Sequence, residues 1–176
     1  GGDHAPMATL EGVKAALPLL GQDTALALIG SHEAYKAAGN HSRLRFIEAP
    51  DVIGMNEHPV KALQQKKGNS ISVGLAAVAQ NELGAFASAG HSGAMMVGAM
   101  QILGMAEGIT RPAVATPLPL PSGKSNLLLD VGINADCKAE QLLEFARLGQ
   151  NYSKSVLGVE KPRVALLNTG SEPGKG

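Results

Sequence analysis

The chain has 176 residues, 44% of them hydrophobic and only 3% aromatic with no Trp, and its 15 Lys+Arg balance its 15 Asp+Glu. An apolar fraction of that size excludes a disordered or collagen-like chain, and the length suits one domain with a sizeable core. Zero net charge and few rings give no electrostatic or stacking basis for binding nucleic acid, and the single cysteine, Cys137, leaves no disulfide framework and suits a reducing cytoplasm.

Behind Pro6, a good first-turn residue, Met7, Leu10, Val13 and Leu17 recur every three or four positions and predict a helix. Short apolar runs at 25–29 and 44–47, closed by Gly30 and near Pro50, read as strands. Gln64, Gln65, Lys66 and Lys67 read as a solvated helix end whose lysines suit the C-terminal dipole. Asn69 or Ser70 then caps a helix carrying Ile71, Leu75 and Val78. A third strand is expected at 85–89, closed by Gly90. Residues 92–107 are small and apolar almost all round, which predicts a buried helix stopped at Gly108.

The second half changes rhythm. Pro117, Pro119 and Pro121 alternate with Leu118 and Leu120, so 116–124 is extended and not a central strand. It joins two strand-like runs without a helix between them, which suits an antiparallel pair. A strand is expected at 127–131, closed by Gly132, and Asp136 is expected to cap a helix beginning near Lys138. Leu142, Phe145, Ala146, Gly149 and Tyr152 form one stripe of that helix, which Gly158 ends. A last strand is expected at 163–167, before Asn168 and Gly170. Strand and helix alternating in this way imply an α/β fold with a mostly parallel sheet covered on both faces.

No stretch reaches the ~18 consecutive apolar residues of a membrane-spanning helix, and no basic segment precedes an apolar one as in a secretion leader. The opening Gly1-Gly2, without an initiator Met, and the closing Gly174-Lys175-Gly176 are both loop-like. The chain therefore reads as a single α/β domain over 1–176 that forms part of a longer protein.

Ligands of open α/β sheets bind beyond the carboxyl ends of the strands, where this sequence concentrates glycine beside polar side chains. One such segment is 88–93 (Ser88, Ala89, Gly90, His91, Ser92, Gly93), another runs from Asp130 through Gly132 to Asn134, and a third holds Asn168, Thr169, Gly170, Ser171 and Glu172. The opening Gly1, Gly2, Asp3, His4, Ala5, Pro6 leads directly into a helix. Glycines let backbone N–H groups approach an anion, and a helix N-terminus adds a favourable dipole. Any one of these loops reads equally well as a strand-ending turn, but four together point to a phosphate-bearing or acyl ligand. Ser122-Gly123-Lys124-Ser125 and the segment 170–176 fail the P-loop spacing, and no Gly-x-Gly-x-x-Gly follows a strand. The histidines are not spaced as metal ligands with Cys137, and no metal is expected. Asp130 and Asp136 are of metal-ligand type, but capping is the better reading of Asp136.

These residues resemble the PlsX-type phosphate acyltransferases. The likeness runs from the opening Gly-Gly-Asp-His-Ala-Pro through Ile53, Met55, Glu57, Pro59, Lys66-Lys67 and Ser70-Ile71. It continues through Ser88-Ala89-Gly90, Gly93-Ala94, Arg111-Pro112-Ala113 and Leu128-Leu129-Asp130-Val131-Gly132 with Asn134 and Asp136. Pro162-Arg163-Val164, Leu166-Leu167-Asn168, Gly170, Glu172 and Lys175-Gly176 complete it, so essentially the whole chain is covered.

The resemblance implies an enzyme of phospholipid synthesis that moves a fatty acyl group from acyl carrier protein to inorganic phosphate without a cofactor. The acyl phosphate then passes to a membrane glycerol-3-phosphate acyltransferase. It implies a three-layer α/β/α sandwich similar to isocitrate and isopropylmalate dehydrogenases and to phosphate acetyltransferases. It further implies a homodimer, a chain about twice this length of which 1–176 is the N-terminal half, and a cytoplasmic enzyme associated peripherally with the membrane. By this resemblance Gly2, Asp3 and His4 form the site floor, with His4 a donor to phosphate or oxyanion. Gly90, His91, Ser92 and Gly93 form a second wall, with Ser92 contacting phosphate. Arg111 and Asn134 bind substrate, although Arg111 equally well anchors the loop before Pro112. Asn168 and Gly170 line the acyl-phosphate end, and Lys175 is the catalytic cation. The family usually carries Asn-Thr where this chain has His91-Ser92, which leaves the His91 side chain without a carried-over role. Alternatives are a short-chain phosphate acetyl- or butyryltransferase using coenzyme A, a nicotinamide-dependent dehydrogenase of the same fold, and a non-enzymatic scaffold for acyl carrier protein. That carrier is acidic, and Lys66-Lys67 is the one compact basic cluster here.

Overall fold

Pro6 leads into α1 (Met7–Ala16), which buries Leu10, and a 3-10 turn (Leu17–Leu19) that buries Leu17 completes the predicted stripe. The Arg43 guanidinium closes the far end of this element by donating to the carbonyls of Leu17, Leu20 and Gly21. In this computed structural model residues 1–134, 136–168 and 170–171 are described. They fall into two compact units, Gly1–Gly104 and Met105–Gly176.

In the first unit the expected strands form as β1 (Leu26–Gly30) and β2 (Leu44–Glu48), paired in parallel with Leu26 opposite Leu44 and Gly30 opposite Glu48. A parallel pair needs a crossover. It is supplied by α2 (His32–Ala38), whose cap Ser31 accepts from the Ala34 N–H and whose Tyr35 ring stacks on Phe46 at 4.6 Å. Three further helices build the core: α3 (Pro59–Gln65), α4 (Ser70–Ala79) and α5 (Ser92–Ile102). Leu63, Ile71, Leu75 and Ala94 are buried together, with Phe86, Met95, Val97 and Ile102 packed around them. Asn69, not Ser70, caps α4. It is 1% exposed, its Oδ1 accepts from the Ser72 N–H at 2.9 Å, and its amide donates to the Lys66 carbonyl and Ser72 Oγ. Burying that amide is tolerable because each polar atom is paired.

Two expectations in this unit need correction. Residues 85–89 form no strand among the described residues; Phe86 instead turns its ring onto α4, where a methyl at Gly74 would lie 2.4 Å from it. A short apolar run signals burial without signalling a partner. The helix α5 also stops before Gly108. Gly104 takes φ +80, the left-handed conformation that ends a helix at little cost to glycine, and the apolar pattern that continues beyond it belongs to a loop.

In the second unit β3 (Ala115–Pro119) pairs antiparallel with β4 (Ser125–Leu129), and the Leu120 N–H donates to the Lys124 carbonyl across the turn. The proline-rich stretch is thus one arm of a hairpin, as its composition predicts. Behind it lies α6 (Ala139–Ser155), which buries Phe145 and sets Gly149 close to Leu129 and Leu127. Lys138, not Asp136, occupies the N-cap position, and its N–H donates to the Gln141 side chain at 2.9 Å. The strand expected at 163–167 does not form among the described residues. Val164, Leu166 and Leu167 are 58 to 71% exposed, so the run has no sheet to bury against. The chain is therefore α/β, with one parallel and one antiparallel strand pair described. No helix among the described residues is long and apolar enough to cross a membrane.

Candidate active site

Two of the predicted loops meet through glycine. A side chain at Gly1 would come within 2.8 Å of Gly90 Cα, and one at Gly2 within 3.0 Å of the Ala89 carbonyl. Gly2 also has φ +102, so this position combines a close approach with a backbone conformation that costs an L side chain about 1 kcal/mol or more. The opening segment is held in a turn by Ala5 N–H donating to the Gly2 carbonyl at 3.1 Å, and Thr9 Oγ1 reaches the Gly1 carbonyl. On the facing side Ser88 Oγ accepts from the Gly90 N–H at 3.1 Å. Asp3 and His4 are exposed beside this contact, as is Ser92.

His91 sits at the N-cap of α5 with both ring nitrogens occupied. Nδ1 accepts from the Ala94 N–H at 3.2 Å, so Nε2 carries the hydrogen and donates to the Glu57 carbonyl at 2.9 Å. Among the described residues the amides of Ser92 and Gly93 find no acceptor, leaving two donors at the helix start. Behind His91, Glu57 Oε1 accepts from the Gly54 N–H at 2.7 Å and from Lys66 Nζ at 2.5 Å, and Lys66 also donates to the Val52 carbonyl at 2.6 Å. The Lys66 ammonium, and after it the Gly54 amide, hold the Glu57 carboxyl below the usual glutamate range. Lys66 is thus built into loop 51–57 and is not simply part of a solvated helix end. Sequence reasoning missed this tie. The only signal was an acid nine residues before a lysine, on opposite sides of a short helix.

The second unit brings Arg111 and Asn134 into neighbouring loops. Asn134 donates from its amide to the Pro112 carbonyl at 2.8 Å and to Asp130 Oδ2 at 3.1 Å. Asp130 gathers both loops, accepting from Val114 N–H at 2.9 Å and Asn134 N–H at 2.7 Å. Desolvation pushes its carboxyl up, but the hydrogen bonds from Val114, Asn134 and Ile133 outweigh it and leave the carboxyl below the ordinary aspartate value. Asp130 is occupied as a loop organiser. Among the described residues no three His, Cys, Asp or Glu side chains converge as a metal site. Arg111 is exposed; its neighbour Thr110 donates to Glu144 of α6 from both N–H and Oγ1. Asn168 Oδ1 accepts from the Gly170 N–H at 3.1 Å, a local turn. Lys175 lies outside the described residues, as do Thr169 and Glu172.

Residues 1–176, the whole chain, match the family described as "Fatty acid synthesis protein". The chain belongs to this family. It is 41% identical over its full length to the phosphate acyltransferase of Herpetosiphon aurantiacus, covering 48% of that protein. It is 45% identical to the phosphate acyltransferase of Caldanaerobacter subterraneus subsp. tengcongensis and 43% to that of Bacillus licheniformis, covering 53% of each. The chain thus spans about half the length of the curated relatives it matches.

Proposed function

We propose that this chain is the N-terminal half of a phosphate acyltransferase, which forms acyl phosphate from an acyl thioester and inorganic phosphate. The observation that carries the reading is the glycine-on-glycine contact of residues 1–2 with 88–90 in a chain 41 to 45% identical to phosphate acyltransferases. A phosphate oxygen attacks the thioester carbonyl carbon, the C–O bond forms, the C–S bond breaks, and the thiolate leaves and takes up a proton. Two things are required: phosphate held against the carbonyl, and donors where negative charge develops on the carbonyl oxygen. Backbone amides of Gly2 and Gly93, with Ser92 at the start of α5, suit the first task, while Gly90 lets the opening segment approach closely. His4 and Asp3 stand beside them. By the resemblance, Arg111 and Asn134 bind substrate, Asn168 and Gly170 line its acyl-phosphate end, and Lys175 supplies the catalytic cation. No cofactor or metal takes part in these steps.

The acyl donor is acyl carrier protein, and the product feeds a membrane glycerol-3-phosphate acyltransferase. The complete protein is a homodimer with the three-layer α/β/α architecture of the isopropylmalate dehydrogenases, a cytoplasmic enzyme touching the membrane peripherally. Coverage of 48 to 53% of each relative supports a protein about twice this length.

The test is to incubate the full-length protein with palmitoyl acyl carrier protein and phosphate and to trap acyl phosphate with hydroxylamine. Phosphate-dependent hydroxamate is the expected product. Turnover with short acyl-coenzyme A alone would transfer the protein to the acetyl- and butyryltransferase branch, and no product from either donor would reject the reading.

A further inference from the structure

We infer that His91 is a positioning residue, and that it works as the last link of a chain running from Lys66 through Glu57 to the first turn of α5. This rests on the proposed function for its consequence in catalysis, although its structural half stands apart from it. A side chain that contacts substrate needs a ring nitrogen to offer. His91 has none to spare: Nδ1 is taken by the Ala94 N–H at 3.2 Å and Nε2 by the Glu57 carbonyl at 2.9 Å. Its neutral ring bridges two segments 34 residues apart, pinning the start of α5 to loop 51–57.

That loop is itself fixed. Lys66 Nζ reaches the Val52 carbonyl at 2.6 Å and Glu57 Oε1 at 2.5 Å, Glu57 Oε1 takes the Gly54 N–H, and Asp51 Oδ2 takes the Gly68 N–H at 2.9 Å. The ion pair is about one-third exposed at each partner, so as a lone surface pair it would add little to stability. Its geometric role is larger. It holds the Glu57 backbone so that its carbonyl faces His91, and His91 in turn sets the direction in which the Ser92 and Gly93 amides point. The ring also packs closely on the turn, since a methyl at Gly93 would stand 3.2 Å from His91 Cε1 and 3.4 Å from Pro59. A group one hydrogen bond removed from the anion loop thereby controls its aim.

The experiment combines four variants of the full-length protein, His91→Ala, His91→Asn, Lys66→Met and the milder Glu57→Gln, with two readouts. The first is steady-state kinetics with phosphate and acyl donor varied separately. Positioning predicts that His91→Ala and Lys66→Met each raise the phosphate KM by about tenfold, the scale of one lost cap, while the acyl-donor KM stays within about twofold. His91→Asn, which retains a cap but not the bridge, falls between them and wild type. A fifth variant, the double substitution His91→Ala with Lys66→Met, is no worse than the more impaired single one, because both act through one chain. The second readout is amide hydrogen exchange at 92–96, which needs no activity. Lys66→Met and Glu57→Gln must speed exchange there although, among the described residues, neither side chain hydrogen-bonds to α5. Unchanged exchange in both, or His91→Asn as impaired as His91→Ala while Lys66→Met behaves as wild type, overturns the inference. A wild-type protein without phosphate-dependent turnover rejects the proposed function and leaves the exchange result to decide this one.

Discussion

Asp130 shows how a single carboxylate can organise a loop pair and what that costs in acid. Its two oxygens accept from Val114, Asn134 and the Asn134 side chain, which keeps the carboxyl below its ordinary 3.8 despite desolvation. A carboxyl depressed in the folded state contributes stability that is fully present above the unfolded value and is lost as pH falls through the folded one. Comparing wild type with Asp130→Asn by urea unfolding removes the background of other carboxylates. The stability difference should be constant between about pH 5 and 7 and shrink below about pH 4. A difference that persists to pH 2.5 would mean that Asp130 does not hold the loops through its charge. Gly2 makes a second residue-scale case, with φ +102 and the Ala89 carbonyl 3.0 Å from where a methyl would sit. Gly2→Ala is expected to raise the phosphate KM at least tenfold, strain of about 1–3 kcal/mol being enough for that; an unchanged KM would remove this loop from the phosphate site. Much at this scale was legible in the sequence. Glycines beside polar residues marked 1–4 and 88–93, and those two segments do meet. The occupations of His91 and Asp130 were not legible, because a hydrogen-bond partner 34 or 16 positions away leaves no local pattern.

Between elements, packing depends on the small residues that the composition supplies. Gly74 on α4 receives the Phe86 ring, and a methyl there would lie 2.4 Å from it, whereas Gly12 on α1 has no neighbour within 4 Å. Gly74→Ala should therefore cost about 1–3 kcal/mol through overpacking. Gly12→Ala should stabilise by about 0.4–1 kcal/mol by reducing the freedom of the unfolded chain. Thermal unfolding of both variants checks the pair, and equal shifts would contradict the packing described. Elements with their own local signals were readable: the α1 stripe, the Asn69 cap, and the proline hairpin arm that becomes β3. Residues 85–89 and 163–167 were misread because a strand is defined by its neighbour, which apolar content does not encode. The α5 end was misplaced because apolar periodicity runs through Gly104.

At the scale of the molecule, this chain spans about half of each phosphate acyltransferase it resembles, at 48 to 53% of their length. The exposed Leu166 and Leu167, each 71% accessible, lie in a run whose composition suits burial. In the proposed function the loops at 1–4 and 88–93 seat inorganic phosphate. Titrating phosphate into the 15N-labelled full-length protein and following its backbone amide resonances tests this. Saturable shifts are expected at Gly2, Ser92 and Gly93, with none at the β1–β2 pair. Saturable binding that leaves those three amides unmoved would contradict this reading.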